Sequence, residues 1–183
     1  MNISEIAKMF ATDKHKMQHR KNGSPYITHP ISVANLLLKY KKSHNINRLL
    51  AAAYLHDTLE DTDTSYYELV DVFGYDIAGI VMELTTNEDM KNDIGKNKYL
   101  AYKLNSMTKW ALAIKLCDRL DNVSDLETMD ESFRKRYMEE TAFIIDYICE
   151  HRELSNTHRE IIKDIAGILK TIKTDISFKH YTL

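Results

Sequence analysis

Pro25 and Pro30 are the only prolines in this 183-residue chain, and just five glycines accompany them. Proline removes a backbone donor and glycine loosens the backbone, so a chain poor in both favours long helices over many short strands and turns. With 44% hydrophobic and 28% charged residues, the composition is that of a packed globular core, at a length that one domain can hold. The expectation is an all-α protein, a single compact helical bundle over residues 1–183.

Several classes are excluded at this stage. No window approaches the ~18 apolar residues of a membrane span, and Asn2-Ile3-Ser4-Glu5 does not begin a basic-then-apolar leader. Cys117 and Cys149 sit among apolar neighbours, which predicts two buried thiols in a reducing compartment, hence a cytoplasmic protein. A net charge of −2 gives no global basic field, so nucleic acid is not an expected partner. Local clusters (Lys14, Lys16, Arg20 and Lys21; Lys39, Lys41 and Lys42) suit a small anion. No feature specifies an oligomeric state.

Along the chain, residues 4–19 predict a first helix with Ile6, Met9, Phe10 and Met17 as its apolar stripe. After the turn residues Asn22-Gly23-Ser24-Pro25-Tyr26, Pro30 falls at a first helical position and opens a second helix to about Tyr40, so that Thr28-His29 marks the helix start. Further helices are expected over Ile46 to Asp57, from Thr64-Ser65 to Val72 with Glu68 placed to close a capping box on Ser65 and Gly74 as terminator, and from Tyr75 to Leu84. The polar stretch from Thr85 to Gly95 reads as a loop, followed by helices at 97–106, 109–127, 132–151 and 157–174.

Two of these helices carry ionisable groups where apolar ones belong. Leu49, Ala52, Ala53 and His56 follow one buried face, and Leu50, Ala53, Tyr54 and Asp57 the next. Ala111, Ile114, Asp118 and Asn122 repeat the pattern on the helix near 109–127. A buried carboxylate beside a buried imidazole is costly unless paired, and a metal ion is one of few partners that offsets both desolvation terms. His29, at the mouth of the second helix, completes two imidazoles and two carboxylates, a set suited to manganese, iron or zinc.

Three segments then carry a resemblance: Arg20-Lys21-Asn22-Gly23-Ser24-Pro25-Tyr26-Ile27-Thr28-His29-Pro30, Leu55-His56-Asp57-Thr58-Leu59-Glu60-Asp61-Thr62, and Ile114-Lys115-Leu116-Cys117-Asp118-Arg119-Leu120-Asp121-Asn122. Together they resemble, in order and separation, the HD-domain hydrolases of the RelA/SpoT-homologue family, which remove pyrophosphate from guanosine tetra- and pentaphosphate. The stand-alone small alarmone hydrolases of the stringent response are most similar, since the chain has no room for a synthetase domain. The resemblance implies an HD-domain bundle with a divalent metal, manganese by preference, on His29, His56, Asp57 and Asp118. It implies a catalytic pair in Glu60 and Asp61, Glu60 being the first choice to position or deprotonate water. Arg20, Lys21 and Asn122 are implied as substrate contacts, and the metal's share is to acidify water and polarise the 3′ phosphate. Tyr26 and Lys115 fall on motif positions too, Tyr26 being read as structural.

The departures matter for substrate. Cys117 stands where the family usually has Ala, and Asp121 replaces a frequent His or Tyr, adding negative charge near an anionic substrate. The 85–95 stretch lacks the family's basic residue, which leaves Lys91, Lys96 or Lys98 to meet phosphate. Rival readings are an HD phosphohydrolase acting on another nucleotide, such as a deoxynucleotide or NADPH, and a non-catalytic nucleotide-sensing HD domain. His15 and His19 share a face by spacing but lack a third ligand, although His15 matches a family position ahead of the basic pair. His44, His151, His158 and His180 are expected to face solvent or pack, and Trp110, Phe143 and Tyr147 to lie in the core.

Overall fold

The computed structural model describes residues 1–172, which are all-α apart from one isolated bridge between His19 and Pro25. His180 and the last residues of the 157–174 helix expectation lie outside the described residues. The chain forms two compact units, the first Met1–Thr86 and the second from Asn87 onward.

The first unit is built around α3 (Ile46–Leu55), which packs against α1 (Ile3–Lys14), α2 (Thr28–Tyr40) and α5 (Tyr66–Leu84). Leu49, Leu50, Ala51, Ala52, Ala53 and Leu55 are all buried, so α3 is enclosed on several sides beyond its exposed first turn, and its alanines admit neighbouring helices closely. α1 differs from expectation. Its buried stripe is Ser4, Ala7 and Ala11, whereas Met9 is 61% and Met17 83% exposed. The small residues face inward because they let α1 approach α3, which volume alone did not reveal. α1 also stops at Lys14, so His15 and His19 do not share a helix face; His15 is buried and His19 exposed.

α3 ends two residues earlier than expected, and a four-residue helix α4 (Thr58–Asp61) follows. Side chains take over the carbonyls that a continuing helix would have bonded: His56 Nδ1 lies 2.8 Å from Ala53 O, and Thr58 Oγ1 donates to Leu55 O at 2.7 Å. In α5 the expected pair of helices meets at Gly74, whose φ of 79° is available to glycine at little cost. Ser65 caps α5 through Glu68 N at 3.1 Å, but the Glu68 carboxylate goes to Lys14, also at 3.1 Å, instead of closing a capping box.

In the second unit, α8 (Lys109–Ser124) packs against α9 (Glu131–His151) and α10 (Asn156–Thr171), while α7 (Lys96–Ser106) lies on α9. The expected 85–95 loop contains a helix, α6 (Glu88–Ile94). Asn87 accepts from Met90 N at 3.0 Å, Glu88 and Asp89 complement the helix dipole, and Gly95 ends it with φ 84°. Asn-Glu-Asp was thus a helix start among polar residues. The helix expected to reach 127 ends at Ser124, with a 3-10 turn over Leu126–Thr128. Trp110 and Phe143 are exposed and Tyr147 half-buried, with Tyr147 stacked on His151 at 4.0 Å, so this trio is not core. Cys117 is buried as expected, but Cys149 is only half-buried. His158 packs, its Nε2 2.9 Å from Lys109 O. Among the described residues, no helix is long and apolar enough to cross a membrane.

A buried ion pair ties α8 to α9. Arg119 Nη1 lies 2.8 Å from Glu140 Oε1 on α9, the guanidinium covers the Tyr137 ring at 4.7 Å, and Lys96 Nζ reaches Glu140 Oε2 at 2.8 Å. Burial pushes the Glu140 carboxyl up, but Arg119 and Lys96 more than offset it, so its pKa falls below the ordinary 4.5. Glu140→Ala leaves Arg119 without this counter-charge and is expected to cost about 3–5 kcal/mol in urea unfolding. A depressed carboxyl contributes stability that is complete above the unfolded-state value and lost as pH falls through the lower folded one. Wild type should therefore lose stability below about pH 4.5, and Glu140→Ala should show a flatter profile there.

Candidate metal centre

In the first unit, the break between α3 and α4 turns two adjacent side chains toward the mouth of α2. His56 is buried at the end of α3, and Asp57, half-buried, begins α4. Asp57 Oδ2 lies 3.1 Å from His56 Nε2 and 3.7 Å from His29 Nε2, with the two imidazole centroids 5.1 Å apart. The orientation of His56 follows from its neighbour: Ala53 O can only accept, so Nδ1 carries a proton, and in the neutral tautomer Nε2 presents the lone pair. That lone pair faces a carboxylate oxygen. Two acceptors at 3.1 Å repel unless a proton or a cation stands between them, and two imidazoles with carboxylates are the donor set of an intermediate divalent metal. The backbone carbonyl behind His56 is the usual orienting partner of a metal-bound imidazole. The residues fit such an ion.

Beside this cluster, Tyr26 donates from one hydroxyl to two acids, Asp57 Oδ2 at 2.6 Å and Asp61 Oδ2 at 3.1 Å. Burial, then Asp57, pushes the Tyr26 phenol far up, so it stays a donor. Burial and the Asp57 charge also raise the Asp61 pKa, against lowering by the Tyr26 bond. Glu60 is exposed, and its Oε1 accepts the Thr86 N–H. Arg20 and Lys21 sit on a tight turn in which Arg20 N bonds Ser24 O at 2.8 Å and Gly23 takes φ 85°.

In the second unit, Asp118 is 7% exposed on a helix buried nearly all round. Lys115 Nζ meets its Oδ2 at 2.8 Å, and Asn122 Nδ2 donates to its Oδ1 at 2.7 Å. The i−3 and i+4 neighbours thus hold this carboxylate in one orientation. Asp121 is buried as well, so the acid that replaces the family's His or Tyr is an interior one. Of the lysines expected to meet phosphate, Lys91 is paired with Glu88 at 2.6 Å and Lys96 with Glu140, while Lys98 is exposed.

The family model for the HD domain matches residues 7–145. The chain belongs to the HD-domain family. It is similar to a guanosine-3′,5′-bis(diphosphate) 3′-pyrophosphohydrolase of Aquifex aeolicus, 41% identical over 72% of this chain and 19% of that protein. It is also 36% identical to the zebrafish enzyme of the same name, MESH1, over 69% of this chain and 73% of that one. The chain therefore spans about a fifth of the first relative and about three quarters of the second. Among solved structures, a metazoan orthologue of SpoT described as hydrolysing ppGpp superposes with a TM-score of 0.80 at 25% identity, covering 93% of this chain and 95% of that one.

Sequence reasoning gave no chemical role to three residues that lie beside this candidate site. Tyr26, read as structural, bridges two of its acids. His15 lies against Tyr26 with centroids 4.8 Å apart, and Gln18 ties His15 to the Asp61 backbone. The usable signal was the crowding of His15, Gln18 and Tyr26 around the Arg20-Lys21 turn.

Proposed function

We propose that this HD-domain protein is a divalent-metal-dependent guanosine-3′,5′-bis(diphosphate) 3′-pyrophosphohydrolase, its ion held by His29, His56, Asp57 and Asp118. The observation that carries the reading is the Asp57 carboxylate facing two imidazole nitrogens, in a chain 36–41% identical to proteins of that name. The HD match runs through the boundary after Thr86, which supports both units acting as parts of one domain.

When bound, a divalent ion supplies a more acidic water and an electrophile for phosphoryl oxygen, and manganese is the proposed ion. The chain's own groups do the rest. Glu60, its Oε1 anchored by Thr86 N–H, takes the proton of the attacking water. Asp61, with its raised pKa and the Tyr26 hydroxyl on one oxygen, orients that water or returns a proton to the ribose 3′ oxygen as the P–O bond breaks. Arg20 and Lys21 neutralise the 3′ diphosphate, and Asn122 contacts substrate while holding Asp118. The buried Asp121 favours a second reading, hydrolysis of another phosphorylated nucleotide at the same site.

Purified protein with guanosine tetraphosphate and manganese should release pyrophosphate and GDP in equal amounts. No release with any of several divalent ions would overturn the reading, and faster turnover of a deoxynucleoside triphosphate or NADPH would favour the second one.

A further inference from the structure

His15 sits where α1 ends and is 1% exposed, continuing the stripe Ser4, Ala7 and Ala11. Its Nδ1 lies 2.7 Å from Gln18 Oε1, while Nε2 of the same amide donates to the Asp61 carbonyl. A carbonyl only accepts, so the Gln18 nitrogen must face Asp61 and the Gln18 oxygen must face His15. His15 therefore donates from Nδ1, and its lone pair is on Nε2, a buried atom with no hydrogen-bond partner among the described residues. An apolar side chain would fill this place without leaving a buried acceptor unsatisfied. What an apolar side chain lacks is a donor and an aromatic face together.

Both are used. The ring lies against Tyr26 with centroids 4.8 Å apart at 37°, and Tyr26 N donates to Gln18 O at 2.9 Å. His15 thus reaches Asp61 by two routes, the backbone through Gln18 and the carboxylate through the Tyr26 hydroxyl.

We infer that His15 is a positioning residue which, through Gln18 and Tyr26, sets the orientation of Asp61. The kinetic part of this inference rests on the proposed hydrolase activity.

Three variants of the full chain separate the routes. His15→Phe keeps the aromatic face and loses the donor, Gln18→Glu keeps the acceptor for His15 and loses the donor to Asp61, and His15→Asn keeps a donor near the Nδ1 position. His15→Phe and Gln18→Glu are expected to lower kcat roughly tenfold with KM and bound manganese unchanged, and His15→Asn, which restores the donor but not the ring against Tyr26, to recover part of the loss. In the wild type, nitrogen NMR should show His15 as the Nδ1–H tautomer, a measurement that needs neither a folded variant nor turnover. An Nε2–H tautomer, a wild-type kcat in both His15→Phe and Gln18→Glu, or a kcat that falls only in step with lost manganese would overturn it. A wild-type protein that releases no pyrophosphate overturns the proposed function instead, and the tautomer then decides the His15 arrangement.

Discussion

Replacing Asp118 with alanine is expected to leave a folded protein that retains no divalent ion and loses pyrophosphate release by on the order of a thousandfold or more, about 4 kcal/mol of barrier. Two effects add. The substitution removes a proposed ligand, and it takes from Lys115 the carboxylate it meets at 2.8 Å. Asp118→Asn separates them, because it keeps the shape and an oxygen for Asn122 Nδ2 while losing the charge. Metal content by elemental analysis, set beside the thermal transition, distinguishes a lost ligand from a lost fold. A variant that keeps full metal and full rate would remove Asp118 from the site.

The second large effect is expected at Glu60. Glu60→Gln preserves an oxygen for the Thr86 N–H, so the loop contact survives and only the charge is removed. Turnover should fall about 10²–10⁴-fold, the usual yield of a positioned general base, with metal content unchanged. The matched comparison is Asp61→Asn. Asp61 has the raised pKa and the Tyr26 bond, whereas Glu60 is exposed and hydrogen-bonded by the backbone. If Asp61→Asn costs more than Glu60→Gln and the rate loses its fall toward acid pH, the base is Asp61 and the roles are exchanged.

The helical class was legible because few breakers interrupt the chain, and α8 was legible because apolar residues cover several of its faces around one acid. His56 and Asp57 stood out for the same reason, as ionisable groups at the end of the apolar stripes on α3. The parts that were not legible depend on contacts distant in sequence. α1 turned out to bury Ser4, Ala7 and Ala11 instead of its larger residues, since close approach to α3 outweighs side-chain volume. α6 lacks an apolar stripe and none of its residues is buried, so only its Asn87 cap announces it. Tyr26 was placed in a motif but not in a role, because the two acids that accept from its hydroxyl, Asp57 and Asp61, come more than thirty residues later. His15 looked like half of a surface pair until α1 stopped at Lys14 and left it inside.

The most direct test of the account is the anomalous scattering of crystals of the manganese-loaded protein, recorded across the manganese edge. The account predicts one ion within bonding distance of His29 Nε2, His56 Nε2 and the carboxylates of Asp57 and Asp118. An ion bound elsewhere, or these four groups held together by hydrogen bonds alone in crystals grown with excess manganese, would contradict it.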